Sequence, residues 1–169
     1  MGLADYLYLG MPESMDLSTS LVADPDRLTC AGAADATTAA HLRRSLNRWL
    51  QQTVPGSGDI CDDIVLSVNE ALANCVEHAY RNHHSRGTMR LQASYDSSTQ
   101  SISVCVSDRG AWHRPAPQRA NDPRASRGIA LMHALADHCT INARPSGTTV
   151  CLDYTTARTH PAVDAERSK

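Results

Sequence analysis

Four polar side chains in the middle of the chain recur at helical spacing. Glu70, Asn74, Glu77 and His78 stand at i, i+4, i+7 and i+8, which places them on one face of a helix at about 100° per residue. A carboxylate one turn before a carboxamide can orient an attacking hydroxyl, while the carboxamide holds Mg²⁺ alongside water and phosphate. The pattern indicates a Mg²⁺–nucleotide site, and a solvated helix face is the simpler alternative.

The other face of this segment is apolar, which predicts a helix from Asp59 to about Tyr80 that packs on a sheet. The polar face lacks the Glu-to-Lys pairs that usually stabilise an exposed helix, so it favours a site over a solvated surface. The apolar positions are Ile64, Val65, Val68, Leu72, Cys75, Val76 and Ala79.

Three later segments offer further contacts for a nucleotide. Asp108 closes an alternating strand and precedes Gly110, so its carboxylate can accept a hydrogen bond from an exocyclic amine such as that of adenine. Gly128 is expected to open a helix, where free amides and the helix dipole bind phosphate, with Arg127 adding charge. The turn at 147–149 adds hydroxyls that can complete a base pocket.

The surrounding pattern predicts an α/β chain, a two-layer α+β sandwich with helices on one face of a largely antiparallel sheet. Asp35 is predicted to cap a first helix, since Leu42, Leu46, Trp49 and Leu50 follow it at helical spacing. Alternating apolar residues predict strands near 89–95 and 102–106, and a final hairpin follows the third helix. We expect one domain over residues 27–154. Residues 1–26 are expected to form an N-terminal extension that is partly disordered, and residues 155–169 a frayed tail.

Composition excludes several classes of function. A net charge of −2 and a pI near 6.4 give no global attraction to nucleic acid or an anionic membrane. No apolar run approaches the roughly 20 residues of a membrane span, and no secretory signal is evident, so we expect a cytoplasmic protein. The six cysteines form no C-x-x-C pair. Four of them, Cys75, Cys105, Cys139 and Cys151, are expected to be reduced core residues.

Taken in order, these segments resemble the ATP-binding domain shared by histidine kinases, gyrase-type ATPases and heat-shock chaperones, the Bergerat fold. The likeness is to its small bacterial branch, the anti-sigma factor serine/threonine kinases. Four boxes carry the resemblance: Glu70–Asn74 with Glu77–Tyr80 as the N box, Asp108–Gly110 as the adenine box, Arg127–Met132 as the phosphate box, and Gly147–Val150 as the last box.

The resemblance implies a role for each matched position. Asn74 would hold Mg²⁺, and Glu70 would act as general base on the attacking hydroxyl. Asp108 would bind the adenine amine, with Gly110 packed against the base and Thr149 supporting that contact. The residues implied at the ATP phosphates are Arg127, Gly128, Ile129 and Ala130.

The resemblance also implies an activity and partners. The protein would sequester a sigma factor and use ATP and Mg²⁺ to phosphorylate a Ser or Thr of an anti-sigma factor antagonist, with 111–126 as the ATP lid, and it would form a homodimer. The adenine box has Ala111-Trp112 where many relatives have a second glycine, and the phosphate box has one glycine instead of two. These departures favour, as the alternative, a protein-interaction module of the same partner-switching type without turnover.

Two further classes of protein fit the sequence less well. A sensor histidine kinase fragment needs a phospho-acceptor histidine on a dimerising helical pair, and the only histidine before the central segment is His41, in a short predicted helix. A nucleic-acid-binding protein needs clustered basic residues with aromatic platforms, whereas the basic residues here are scattered. Neither direct nucleic-acid binding nor membrane association is expected.

Overall fold

Three helices and five strands alternate along the computed structural model, which describes residues 25–80, 87–110 and 123–156. In these ranges no helix is both long and apolar enough to cross a membrane. In chain order the elements are β1 (Arg27–Ala33), α1 (Ala36–Thr53), α2 (Gly58–Glu77), β2 (Thr88–Asp96), β3 (Ser101–Asp108), α3 (Pro123–Leu135), β4 (His138–Arg144) and β5 (Gly147–Thr155).

The strands form one sheet in the order β1-β2-β3-β5-β4, and every neighbouring pair is antiparallel. Side chains alternate between its faces: Leu91, Val104 and Leu152 are fully buried, while the intervening positions of β3 and β5 are half-exposed. This alternation is that of a sheet covered by helices on one face only. The predicted α/β class with an antiparallel sheet is confirmed.

Helix α1 begins where the sequence predicts. The Asp35 carboxylate accepts a hydrogen bond from the Thr38 amide at 2.7 Å, an N-cap worth about 1 kcal/mol. Leu46 and Leu50 are fully buried one turn apart, and the Trp49 indole donates to the Pro25 carbonyl at 3.1 Å. The helix is therefore fixed at its start by the cap and along its length by the core.

The bounds of α2 differ from the prediction at both ends. Ser57, not Asp59, is the N-cap, and Asp59 lies in the first turn, where its charge favours the helix dipole. The helix ends at Glu77. The amide of the C-cap residue His78 makes the last helical hydrogen bond, to the Asn74 carbonyl. The apolar face is as predicted. Its buried residues include Ile64, Val68, Leu72 and Cys75.

Helix α3 begins at Pro123, so the prediction that Gly128 opens this helix is wrong. Proline is favoured in the first helical turn, where it loses no hydrogen bond and its φ is already helical. Gly128 is consequently the sixth residue of α3. Met132 on the same helix is fully buried, which anchors α3 against the core.

Two of the predicted core cysteines are neither reduced nor in the core. Cys105 and Cys151 pair across β3 and β5 and form a disulfide. They occupy the half-exposed face because they alternate with Val104 and Val106, which are buried. The reduced state predicted for the other two is found in the structure. These are Cys75, which is buried, and Cys139, which packs partly against the core.

Three predicted segments lie mostly outside the described residues. Of the N-terminal extension 1–26 only Pro25 and Asp26 are described, in a turn, and of the tail only Thr155 and Thr156. Of the predicted ATP lid 111–126 only the last four residues are described, as the first turn of α3.

Candidate functional site

An open cavity of about 750 Å³ lies between the polar face of α2 and the exposed face of α3. It brings the segment around Glu70 and Asn74 together with the segment around Gly128, two regions more than fifty positions apart in the sequence. The residues that line it are Glu70, Ala73, Asn74, Glu77, His78, Arg127, Gly128, Ala130, Leu131 and Ala134.

Glu70 faces α3 at the point where that helix carries a glycine. A methyl group built on Gly128 would lie 2.7 Å from the Glu70 Oε2 atom, closer than real Cβ contacts. Because Gly128 has no side chain, the Glu70 carboxylate can occupy its position in the cavity without a clash. This arrangement places an acceptor of protons beside the segment predicted to bind phosphate.

Asn74 carries a polar atom that the protein itself does not satisfy. Its Nδ2 atom is buried and has no hydrogen-bond partner, although buried amide groups in proteins are nearly always paired. Because Asn74 lines the cavity, this unpaired amide suits a bound ligand with oxygen atoms. The carboxamide oxygen is also a suitable Mg²⁺ donor, and no cluster of three metal-binding side chains exists in the described ranges.

Asp108 is held in a fixed orientation at the end of β3. Its Oδ1 atom accepts the Gly110 amide at 2.9 Å and the Thr148 amide at 3.3 Å, and its Oδ2 atom accepts the Cys75 thiol at 3.6 Å. Burial raises the pKa of this carboxyl, and the two amide donors partly oppose the rise. Since a carboxylate oxygen has room for two donors, Oδ2 remains able to accept one more hydrogen bond.

The Cys75 thiol that contacts Asp108 is itself strongly perturbed. Burial, together with the nearby Asp108 charge, raises the pKa of Cys75 far above its ordinary range. The group therefore stays protonated near neutral pH and acts as a donor to the carboxylate rather than as a reactive thiolate.

Two glycines allow the backbone to close around Asp108. A Cβ on Gly110 would overlap the carbonyl oxygen of Ala79, in the turn that follows α2. A Cβ on Gly147 would overlap the Asp108 carbonyl, and Gly147 has a φ of +142° that other residues rarely adopt. Contact with the turn after α2 on one side and with the β4–β5 turn on the other thus fixes the Asp108 backbone.

Thr148, rather than the predicted Thr149, is oriented toward Asp108. Strand alternation places Thr149 opposite Ser107 on the half-exposed face, whereas Thr148 is 4% exposed on the helix-covered face. The Thr148 hydroxyl is buried without a hydrogen-bond partner. The contact with Asp108 is thus made by the backbone amide of Thr148, and the role that the resemblance implies for Thr149 stays a prediction.

The predicted phosphate-binding residues divide between the cavity and the core. Arg127, Gly128 and Ala130 line the cavity, with Arg127 and Ala130 exposed, while Ile129 packs against the hydrophobic core. Because α3 begins at Pro123, the Gly128 amide lies beyond the free amides of the first turn. The predicted helix N-terminus at Gly128 is therefore not available in this conformation.

The Tyr80 hydroxyl joins three elements beside the site. It donates to the Thr88 carbonyl at 2.6 Å and accepts the amides of Thr88 at 3.1 Å and Arg109 at 2.8 Å. A Cβ on Gly87 would overlap its ring. One side chain thereby connects the residues after α2, the start of β2 and the segment that follows Asp108.

A Tyr80→Phe variant is expected to lose about 0.5–1.5 kcal/mol of unfolding free energy, because the amides of Thr88 and Arg109 lose their shared acceptor at a position that water can reach. We also expect ATP binding to weaken several-fold through the loosened Arg109–Gly110 segment. Thermal unfolding and calorimetry measure the two effects. Tyr95→Phe, at the other end of β2, is the matched control, and equal behaviour of the two variants would contradict the role given to Tyr80.

Two contributors to the site, Cys75 and Tyr80, were missed from the sequence, whereas Thr148 was included among the hydroxyls of the 147–149 turn. Its inward position was predictable, since Val150, Leu152 and Tyr154 face inward at a period of two and Thr148 continues that series. Cys75 follows the apolar pattern of α2, which gives no sign of its contact with Asp108. The sequence around Tyr80 gave no sign of its hydrogen bonds beyond its place in the N box, because its partners Thr88 and Arg109 lie in other segments of the chain.

Comparison with known proteins agrees with this arrangement. Residues 32–154 match the family model of the histidine kinase-like ATPase domain. Among solved structures the chain is similar to the RsbU and RsbW domains of Rv1364c from Mycobacterium tuberculosis, with a TM-score of 0.60 and 26% identity, over 76% of this chain and 32% of that one. The chain thus spans about a third of that protein's length.

Two further matches come from the blue-light activated histidine kinase of Erythrobacter litoralis EL346. One, its histidine kinase domain, has a TM-score of 0.46 and 21% identity over 69% of this chain and 58% of that chain. The other has a TM-score of 0.48 and 24% identity over 68% and 40%. The family match begins in the last two residues of β1, ends one residue before the end of β5 and includes all four predicted boxes. The chain belongs to the histidine kinase-like ATPase domain family.

Proposed function

We propose that this protein is an anti-sigma factor with ATP-dependent serine/threonine kinase activity, which sequesters a sigma factor and phosphorylates an anti-sigma factor antagonist. The observation that carries the proposal is the shared cavity of Glu70, Asn74 and Arg127, with a buried, unpaired amide on Asn74. The four boxes of the anti-sigma kinase branch and the likeness to an RsbW domain support it. A homodimer and a cytoplasmic location stay predictions.

In this proposal each side chain has one task in phosphoryl transfer. Asp108 accepts a hydrogen bond from the adenine amine, Asn74 would hold Mg²⁺ through its amide oxygen, and Arg127 lies on the side of the cavity assigned to the phosphates. Bound Mg²⁺ neutralises charge on the phosphate oxygens. Glu70 accepts the proton of the attacking Ser or Thr hydroxyl, and catalysis consists of positioning and charge stabilisation rather than covalent chemistry.

One observation favours a second candidate, a partner-switching module without turnover. The Gly128 amide lies inside α3, which begins five residues earlier at Pro123, so the phosphate-binding amides of the glycine box are engaged in the helix. If this helix keeps its first turn, phosphate binding weakens while the protein surfaces that bind partners are unaffected. The two candidates differ in whether phosphate is transferred at all.

Calorimetric titration of ATP, with and without Mg²⁺, into the wild type and an Asn74→Ala variant tests the nucleotide site. We expect micromolar binding by the wild type that depends on Mg²⁺, and weaker binding by Asn74→Ala with little Mg²⁺ dependence. Asn47→Ala, on the exposed part of α1, is the control. Absence of binding by the wild type would overturn the kinase proposal and leave the partner-switching module.

A further inference from the structure

We propose that Cys105 and Cys151 form a redox-responsive cystine that tunes the nucleotide affinity of the adjoining site. A dithiol is the reductant, and a low-molecular-weight disulfide is the oxidant. The nucleotide readout of this inference rests on the proposed function, whereas the existence of the reversible bond does not.

The two cysteines are placed to react with each other and with no other cysteine. They are register partners on β3 and β5, with Cα atoms 4.2 Å apart, a spacing typical of pairs whose side chains lie close together. All six cysteines fall in the described ranges, and the other four are free thiols. Three of these are buried, Cys30, Cys61 and Cys75, and the fourth, Cys139, is half-buried.

The bond lies on the face of the sheet that an external thiol can reach. Both cysteines are half-exposed, and they alternate with core residues that point to the helices. Their neighbours on this face are small or polar. These neighbours are Ser103, Ser107, Thr149 and Asp153. Reactive disulfides need such access, because a thiolate must approach along the bond between the sulfur atoms.

The sheet holds the two cysteines together in either oxidation state. β3 and β5 are paired over seven residues from Ser101↔Thr155 to Ser107↔Thr149, and β2 and β4 flank them on both sides. Opening the disulfide therefore leaves the ladder of backbone hydrogen bonds in place, and the thiols remain opposite each other. A pair arranged in this way can be reduced and re-oxidised without unfolding.

The same two strands carry the groups that would bind the adenine base. Asp108 is three residues after Cys105, and Thr148 is three residues before Cys151. The Thr148 amide donates to the Asp108 carboxylate across the two strands at 3.3 Å. The cystine also closes a loop of sequence separation 46 that contains α3. It therefore restrains the strand ends that form the site, and reduction releases this restraint.

The reaction is a balanced two-electron exchange. A thiolate of the dithiol attacks one sulfur atom of the cystine, which forms a mixed disulfide and releases the other cysteine as a thiolate that takes up a proton. The second thiol of the reductant then displaces the first cysteine and leaves as a cyclic disulfide. Oxidation by a disulfide such as oxidised glutathione reverses both steps and yields two molecules of reduced glutathione.

The test combines thiol counting with ATP binding on the full chain. Protein equilibrated with oxidised glutathione or with dithiothreitol is unfolded and alkylated, and its mass is measured by mass spectrometry. We expect four alkylated thiols in the oxidised form and six in the reduced form. Calorimetry with Mg-ATP is expected to give about fivefold weaker binding after reduction, a coupling of ordinary size for two linked sites. The Cys105→Ser/Cys151→Ser variant should bind as the reduced protein does in both buffers, and Cys139→Ser should respond to redox as the wild type does.

Several outcomes would overturn the inference. Six thiols after equilibration with oxidised glutathione would mean that the bond does not form, and four after dithiothreitol would mean that it does not open in the folded protein. Equal ATP affinity of the oxidised and the reduced protein would mean that the disulfide has only a structural role. If neither form binds ATP, the proposed function fails and the coupling with it, while the thiol count still decides whether the bond is reversible.

Discussion

An Asp108→Asn variant is expected to bind ATP about 30- to 150-fold more weakly than the wild type, which corresponds to about 2–3 kcal/mol for a buried polar group left with a mismatched partner. The introduced carboxamide keeps the size of the original side chain and can still accept the Gly110 and Thr148 amides through its oxygen. Its amide nitrogen then replaces Oδ2 and faces the adenine amine as a second donor. Calorimetry with Mg-ATP measures the loss.

Base specificity separates this contact from a general loss of stability. Guanine and hypoxanthine carry a carbonyl where adenine carries the amine, so the wild type should discriminate strongly against GTP and ITP, and Asp108→Asn should discriminate much less. Asp96→Asn, at the exposed end of β2, is the control. Equal preference for ATP in the wild type and the Asp108→Asn variant would contradict the assignment.

The raised pKa of Asp108 gives the same contact a pH dependence. Burial raises the folded-state pKa above the ordinary value, which is about 3.9, so acidification protonates this carboxyl earlier than an exposed aspartate. Protonation removes the charge that attracts the adenine amine, and ATP affinity should fall as pH decreases. Because ATP itself titrates, the ATP affinities of the wild type and Asp108→Asn should be compared at each pH. We expect the difference between these two affinities to become smaller as the pH falls.

A Glu70→Gln variant is expected to retain ATP binding within about twofold and to lose phosphotransfer by about 10²- to 10⁴-fold, the usual contribution of a general base. Glutamine preserves the shape of the side chain beside Gly128 but cannot accept the proton of the attacking hydroxyl. A residue that acts only in the reaction is recognised because its loss lowers the rate of phosphotransfer and leaves ATP affinity unchanged. Transfer of labelled γ-phosphate to a co-purified protein partner measures it.

The control for Glu70→Gln removes a charge from the same helix without touching the cavity. Asp62→Asn changes an exposed carboxylate two turns earlier on α2, and it should transfer phosphate at the wild-type rate. Full activity of Glu70→Gln would remove Glu70 from the mechanism. Loss of ATP binding in that variant would instead indicate a structural role beside α3.

The layers of this protein follow from its apolar pattern, as does the position of Glu70 and Asn74 on one face of α2. Apolar periodicity placed the helices and strands, since burial of one face of each element is a local requirement that repeats every 3.6 or 2 residues. The faces of α2 follow directly from this rule, with Leu72 in the core and Asn74 in the cavity. Local chemistry likewise fixed the Asp35 cap.

The tertiary structure decided the contacts that join segments distant in sequence. The approach of Glu70 to Gly128 depends on the packing of α2 against α3. The bond between the Tyr80 hydroxyl and the Arg109 amide and the pairing of Cys105 with Cys151 depend on the arrangement of the strands. A shift of register by one residue exchanges the faces of a strand, and this is why Thr148, not Thr149, is oriented toward Asp108. Periodicity indicates which residues share a face, but only the packing of one element on another decides which residues meet across it.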